Sequence, residues 1–165
     1  MISMGRTVLI ALLVVTGAYC TKSKAADSIV GSWRLVTWVE VETESKSIHS
    51  IFGDNPTGLI TYTPDGHMSV FIINPTRKAP AGPKATDAEA VDLYRTMIAY
   101  SGSYSIEGDK VSHKIEVSWN QAWTGTNQQR FVDVKDNQLT IKTPPIISPI
   151  SGKEIVYTLV WERVK

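Results

Sequence analysis

A single cysteine, Cys20, supplies all the thiol chemistry in 165 residues. One thiol cannot form an intrachain disulfide, so the fold must rest on a packed core rather than on covalent staples. An excess of one charge is also missing: 17 Lys and Arg stand against 16 Asp and Glu, a net charge of +1. That balance gives no basic stripe for nucleic acid. The three histidines, His49, His67 and His113, are too far apart in sequence for a metal-ligand spacing, and no acidic cluster suggests calcium. There is no Gly-x-Ser-x-Gly elbow, no phosphate-cradling glycine loop and no His-Glu-x-x-His. No metal, cofactor or nucleic-acid partner is therefore expected. With 42% hydrophobic and 20% charged residues, the composition is that of a globular chain, and its length fits one domain.

The longest apolar run is short. Arg6 supplies a basic start, Val8 to Val15 is unbroken, and Thr16, Gly17 and Ala18 follow as small residues. This is the pattern of a secretory signal peptide, and the run is shorter than the roughly 20 apolar residues of a membrane span. An N-terminal anchor left in place is the alternative. Cleavage could follow Thr16-Gly17-Ala18 or Ser23-Lys24-Ala25. We expect residues 1–25 to be the leader and 26–165 the domain. The product would be exported, to the periplasm or outside the cell, with no stable membrane insertion after cleavage. Lipidation at Cys20 is not expected, because Tyr19 stands where a small residue is needed. Loss of residues 1–25 takes Arg6, Lys22 and Lys24 and no acid. The 17 basic residues then become 14 against 16 acidic ones, and the net charge becomes −2.

The remainder reads as strands punctuated by turns. On the first, Gly31 to Val41, residues Trp33, Leu35, Thr37, Val39 and Val41 share one face, and Arg34, Val36, Trp38 and Glu40 the other. Gly58 to Thr63 and Met68 to Ile73 flank a tight turn, Thr63-Pro64-Asp65-Gly66. A proline-rich loop, Asn74 to Pro83, precedes a helix with a capping box from Thr86 to Glu89. Ala90, Leu93, Tyr94, Met97 and Ile98 form its apolar stripe, and Gly102 lies near its C-terminal cap. Strands follow at Ser103 to Ile106, Lys110 to Trp119, Gln129 to Val134, Gln138 to Lys142 and Ile155 to Val164. About eight strands joined in chain order predict an all-β, eight-stranded antiparallel up-and-down barrel, with one short helix between strands 3 and 4. A two-sheet sandwich is the competing architecture. Eight strands enclose an interior that side chains fill or that holds one small ligand.

Several segments also resemble a known family. Gly31-Ser32-Trp33 resembles the Gly-x-Trp opening of lipocalins. Arg163, two residues after Trp161, resembles the arginine that packs over that tryptophan, which implies that Trp33 and Arg163 close one barrel end. Gly31-Ser32-Trp33-Arg34-Leu35, Tyr62-Thr63-Pro64-Asp65-Gly66-His67-Met68-Ser69 and Ala99-Tyr100-Ser101-Gly102 are similar to a bacterial and fungal lipocalin-like domain family. So are Val111-Ser112-His113, Gly125-Thr126 with Gln129-Arg130, Thr143-Pro144-Pro145 and Leu159-Val160-Trp161-Glu162-Arg163. Ordinary lipocalins differ in having a helix after the barrel, a Thr-Asp-Tyr motif and a disulfide. The resemblance implies the fold, and a fold hosts many functions.

His113 shares a strand face with Val111, Ile115, Val117 and Trp119. It reads as a core histidine bonded to a buried neighbour, or as a ligand-orienting or acid–base group in an apolar cavity. Tyr62, Tyr100 and Tyr104, with Phe71, Trp119 and Phe131, are candidates to line a pocket. Arg130 would need an anion if it faced inward, with Glu116 or a ligand head group as candidates; facing solvent it is a surface charge. Trp123 is placed to guard a barrel end. The loop from Glu42 to Thr57, with His49 and the Ile51-Phe52 pair, is placed to lid it by analogy with lipocalins. His67 reads as a solvated loop-end residue. The leading expectation is a barrel binding a small apolar or amphipathic ligand. An isomerase- or cyclase-like enzyme using His113 and a filled structural barrel are the alternatives. Oligomeric state is left open.

Overall fold

The computed structural model describes residues 29–148 and 152–165. The leader expected over residues 1–25, with Cys20, lies outside the described residues. In chain order the elements are β1 (Gly31–Glu42), β2 (Ile48–Ser50), β3 (Thr57–Tyr62), β4 (His67–Ile73), α1 (Asp87–Arg95), β5 (Met97–Glu107), β6 (Lys110–Ser118), β7 (Asn127–Lys135), β8 (Gln138–Lys142), β9 (Ile146–Ile147) and β10 (Glu154–Arg163).

β1, β3, β4, β5, β6, β7, β8 and β10 pair antiparallel in that order, and β10 returns to β1, so the sheet closes as an eight-stranded barrel. Closure leaves no barrel strand with a free edge. β2 and β9 are short flaps added on the outer sides of β1 and β10 at the end of the barrel opposite Trp33. Local chemistry explains the turns. In Thr63-Pro64-Asp65-Gly66 the Gly66 amide donates to the Thr63 carbonyl at 3.2 Å, and Gly66 takes φ +89°.

Helix α1 lies outside the barrel and buries none of its side chains. Its capping box is formed: the Thr86 hydroxyl accepts from the Glu89 amide, and the Glu89 carboxylate accepts from the Thr86 amide. The helix ends at Arg95, so Met97 and Ile98 belong to β5 and not to a helical stripe. Gly102 is likewise no helix cap. It sits in β5, where a Cβ would lie 2.0 Å from the Lys114 carbonyl oxygen. Only glycine admits that approach of β6.

Two bulges reset the alternation. β1 is paired with β10 as Leu35↔Trp161 and then Thr37↔Val160, so Val36 is the extra residue. An extra residue flips every later side chain to the other face. Trp33 and Leu35 point in before it; Trp38, Glu40 and Glu42 are buried after it. The single-face reading of Trp33 through Val41 is therefore corrected, and Trp38 enters the barrel. A second shift, where Ser101 pairs Val117 but Gly102 pairs Ile115, makes Glu116 the extra residue on β6. Val117 consequently faces out, 63% exposed, against the expectation that it shares the His113 face.

The core is polarised along the barrel. Trp33, Val111, Leu139 and Tyr62 fill one end and are essentially fully buried. Each large apolar side chain buried there stabilises the fold by about 1.5–3 kcal/mol. The Arg163 guanidinium carbon stands 4.0 Å from the centre of the Trp33 ring, and the guanidinium donates to the Val30 carbonyl at 2.8 Å. The Trp33 indole N–H donates to the Ile29 carbonyl at 2.8 Å. The other end is left open.

Candidate functional site

Above that plug lies a cavity of about 390 Å³, within the range of small-molecule sites. Its walls are mostly aliphatic and aromatic, with Ile60, Val70, Ile72, Ile98 and Leu159 among them. A barrel packed solid would hold no void larger than a water, so the filled-barrel reading is set aside.

Aromatic rings frame the mouth. Trp38, turned inward by the β1 bulge, meets Phe52 edge-on at 5.1 Å and Tyr157 at 6.0 Å. Trp119 and Trp123 meet edge-on at 4.9 Å, and Trp123 lies 5.7 Å from Tyr100. Ile51 lines the cavity beside Phe52, so the loop after β1 does reach over the open end. Ile146 and Thr143, from the second proline-rich loop, line the same end.

The floor is polar. His113 on β6 is 1% exposed and holds two tyrosines: its Nε2 lies 2.8 Å from the Tyr62 hydroxyl and its Nδ1 3.2 Å from the Tyr100 hydroxyl. Burial, helped by the nearby Arg130 charge, lowers the His113 pKa to about 3. The imidazole is therefore neutral near pH 7, with one N–H to give and one lone pair to accept. Burial raises the Tyr62 pKa well above the ordinary value and raises that of Tyr100, against the lowering pull of Arg130. Both phenols keep their protons. Both ring nitrogens are engaged, so His113 joins Tyr62 on β3 and Tyr100 on β5 across the barrel floor.

The expected site residues separate into three groups. His113, Trp119 and Arg130 line the cavity. Arg130 lines the cavity and is half-buried, while Glu116, its suggested partner, is exposed on the outer face. Tyr62 and Tyr104 stand behind the floor: Tyr62 is held by His113, and Tyr104 packs 5.0 Å from the Tyr62 ring and donates to the Thr63 carbonyl at 2.9 Å. Phe71 and Phe131 are corrected. They face outward, 57% and 37% exposed, and Phe131 lies beneath Lys110 at 5.9 Å. His49 and His67 are exposed surface residues, beside Glu42 and Asp65 respectively.

Tyr157 and Trp38 line the site without having been foreseen. Tyr157 follows the inward alternation of β10 with Leu159 and Trp161, a signal that was available; Trp38 required knowledge of the bulge.

Comparison with known proteins places this architecture. The family model described as Lipocalin-like domain matches residues 30–164. The chain belongs to the lipocalin-like domain family. One relative of this lipocalin-like barrel is the 4'-hydroxy-3'-methoxypropiophenone carrier protein ppsC of Aspergillus oryzae (strain ATCC 42149 / RIB 40), 32% identical over 88 residues, 48% of this chain and 78% of that one. Among solved structures, it is similar to a lipocalin-like protein from Bacteroides uniformis ATCC 8492, at 11% identity over 83% of this chain and 99% of that one, TM-score 0.44. An uncharacterized protein from Bacteroides eggerthii DSM 20697 is similar at 12% identity over 82% and 99%, TM-score 0.42. Among the described residues of this lipocalin-like domain, no helix is long and apolar enough to cross a membrane and no cluster is placed to hold a metal.

Proposed function

We propose that this protein is an exported carrier that holds one small, largely apolar molecule in the barrel cavity. The observation that carries the reading is the cavity itself: about 390 Å³, walled by aliphatic and aromatic side chains, with residues of two loops at its mouth. An apolar ligand seated against such walls gains the free energy of burying its surface. The ppsC relative supports the reading, being named a carrier for a small substituted aryl ketone. A flat ring system of that kind suits walls made of Trp38, Trp119 and Trp123. The leader-like residues 1–25 support export, and the ligand would then be met in the periplasm or outside the cell.

The test is the mass of the protein under native conditions, followed by solvent extraction. A discrete co-purifying apolar molecule, or micromolar binding from a panel of small aromatic and lipid compounds, is expected. A clean unliganded mass with no binding across that panel would overturn the carrier reading.

A further inference from the structure

Among the described residues that line the cavity, Arg130 is the one charged side chain. Arg130 lines the cavity, and no carboxylate lies within salt-bridge distance of it among the described residues. Its guanidinium donates to the Gln129 carbonyl at 2.7 Å and to the Gln128 side chain at 3.4 Å. Those bonds leave its charge unneutralised and part of its five-donor fork unused. Arg130 is half-buried, and a charge partly withdrawn from water gains from an anion placed beside it.

The tyrosine pair adds a second donor. Tyr62 is fully buried, and His113 is its hydroxyl's hydrogen-bond partner. If the imidazole N–H pointed at Tyr62, the Tyr62 proton would be left buried without an acceptor, at a cost of about 1–3 kcal/mol. The satisfied arrangement has Tyr62 donating to Nε2 and Nδ1–H donating to Tyr100. Tyr100 lines the cavity, so its own O–H remains to be given to whatever the cavity holds.

Two indole N–H groups point to the same conclusion. Trp38 and Trp161 both line the cavity, are 8% and 1% exposed, and their Nε1 atoms make no hydrogen bond. Buried donors are normally paired. Two side-chain oxygens of the lining already take one backbone N–H each, Asn120 from Ala122 at 3.1 Å and Thr143 from Tyr157 at 3.0 Å.

We infer that the ligand is an oxyanion on an apolar, ring-bearing body, an aryl carboxylate or ionised phenol, whose charged oxygen seats on Arg130 and the Tyr100 hydroxyl. The indole donors of Trp38 and Trp161 favour further acceptor atoms on the body and select against ligands that bring hydrogen-bond donors. This inference rests on the carrier reading, whose cavity it uses, and it narrows the ligand class.

The experiment compares two probes of nearly equal shape, 2-naphthoate and the neutral 2-acetylnaphthalene. They are titrated calorimetrically into protein expressed from the full 165-residue sequence. A charge-assisted hydrogen bond should favour naphthoate by roughly tenfold or more. Arg130→Met, which keeps the apolar stem, should abolish that preference by weakening naphthoate more than the ketone. Arg130→Lys should restore part of it, and Tyr100→Phe should weaken naphthoate by roughly fivefold while leaving the protein folded. If the variants fail to fold, the wild-type comparison still decides. Equal or tighter binding of the ketone, or undiminished naphthoate binding by folded Arg130→Met, would overturn the inference and leave the carrier standing. Failure of both probes to bind would also overturn the inference, while the carrier reading falls only if the wider panel and the native mass are negative as well.

Discussion

The His113 imidazole holds the Tyr62 hydroxyl at 2.8 Å in a site from which both groups exclude water, Tyr62 and His113 each being 1% exposed. The bond ties β3 to β6 across the barrel interior and forms part of the cavity floor. Protonation would take from Tyr62 the nitrogen that accepts its proton and would charge a buried ring, and that makes the fold sensitive to acid.

The sign follows from linkage. The unfolded histidine titrates near 6.5 and the folded one near 3, so between those values the unfolded chain binds the extra proton and stability falls as pH falls. The slope from this group approaches about 1.4 kcal/mol per pH unit well below 6.5. Glu42, Asp65 and Glu89, held low mainly by hydrogen bonds, add their own losses only from about pH 5 downward. Urea unfolding between pH 6.5 and 5 should therefore show a falling midpoint in the wild type and a nearly flat one in His113→Gln. Equal slopes in the two proteins would show that His113 is not buried neutral.

Gly102 is fixed by the closeness of β6. A Cβ there would meet the Lys114 carbonyl oxygen at 2.0 Å, a backbone atom that cannot move aside without breaking the ladder. Gly102→Ala should cost about 3 kcal/mol or more. Gly82→Ala, where nothing lies within 4 Å of the added carbon, should change stability by less than about 0.5 kcal/mol. Thermal melts of the two variants test the contrast.

The closed end depends on Arg163. Its guanidinium stacks on Trp33 at 4.0 Å and donates to Val30. Arg163→Lys keeps the charge but loses the planar stack and the fork. We expect a loss of about 1–2 kcal/mol in chemical denaturation, with ligand affinity unchanged because Arg163 lies outside the cavity lining.

The loop over the mouth should control exit more than entry. Phe52 packs edge-on against Trp38 at 5.1 Å, a contact worth about 0.5–1.5 kcal/mol. Phe52→Ala should raise the dissociation rate of a bound aromatic by roughly threefold to tenfold, in stopped-flow displacement, with a smaller change in association. An unchanged dissociation rate would mean that the loop does not retain the ligand.

Much of this structure was legible in the chain because it is written locally. The capping box at Thr86 and Glu89, the Thr63-Pro64-Asp65-Gly66 turn and the alternating strands need only near neighbours to be read. Bulges are different, because they depend on which strand lies alongside. The extra residues at Val36 and Glu116 moved Trp38 into the cavity and Val117 out of it, and neither position carries a mark of its own. Phe71 and Phe131 face outward for another reason, the plain alternation of their strands. Met68, Val70 and Ile72 point in, and so do Val132 and Arg130. The inward side of Arg130 shows only when its neighbours on the same face, Val132 and Val134, are counted with it, since a charged residue by itself reads as solvent-facing.

The central claim is that the barrel encloses a ligand site between the His113 floor and the Phe52 loop. A crystal structure of the protein grown with 2-acetylnaphthalene or 2-naphthoate tests it most directly. The account predicts density for the ring system inside the barrel, against Trp38 and Trp123 and above Tyr100. A barrel whose interior is closed by its own side chains, with the compound absent or bound on the outer face, would contradict it.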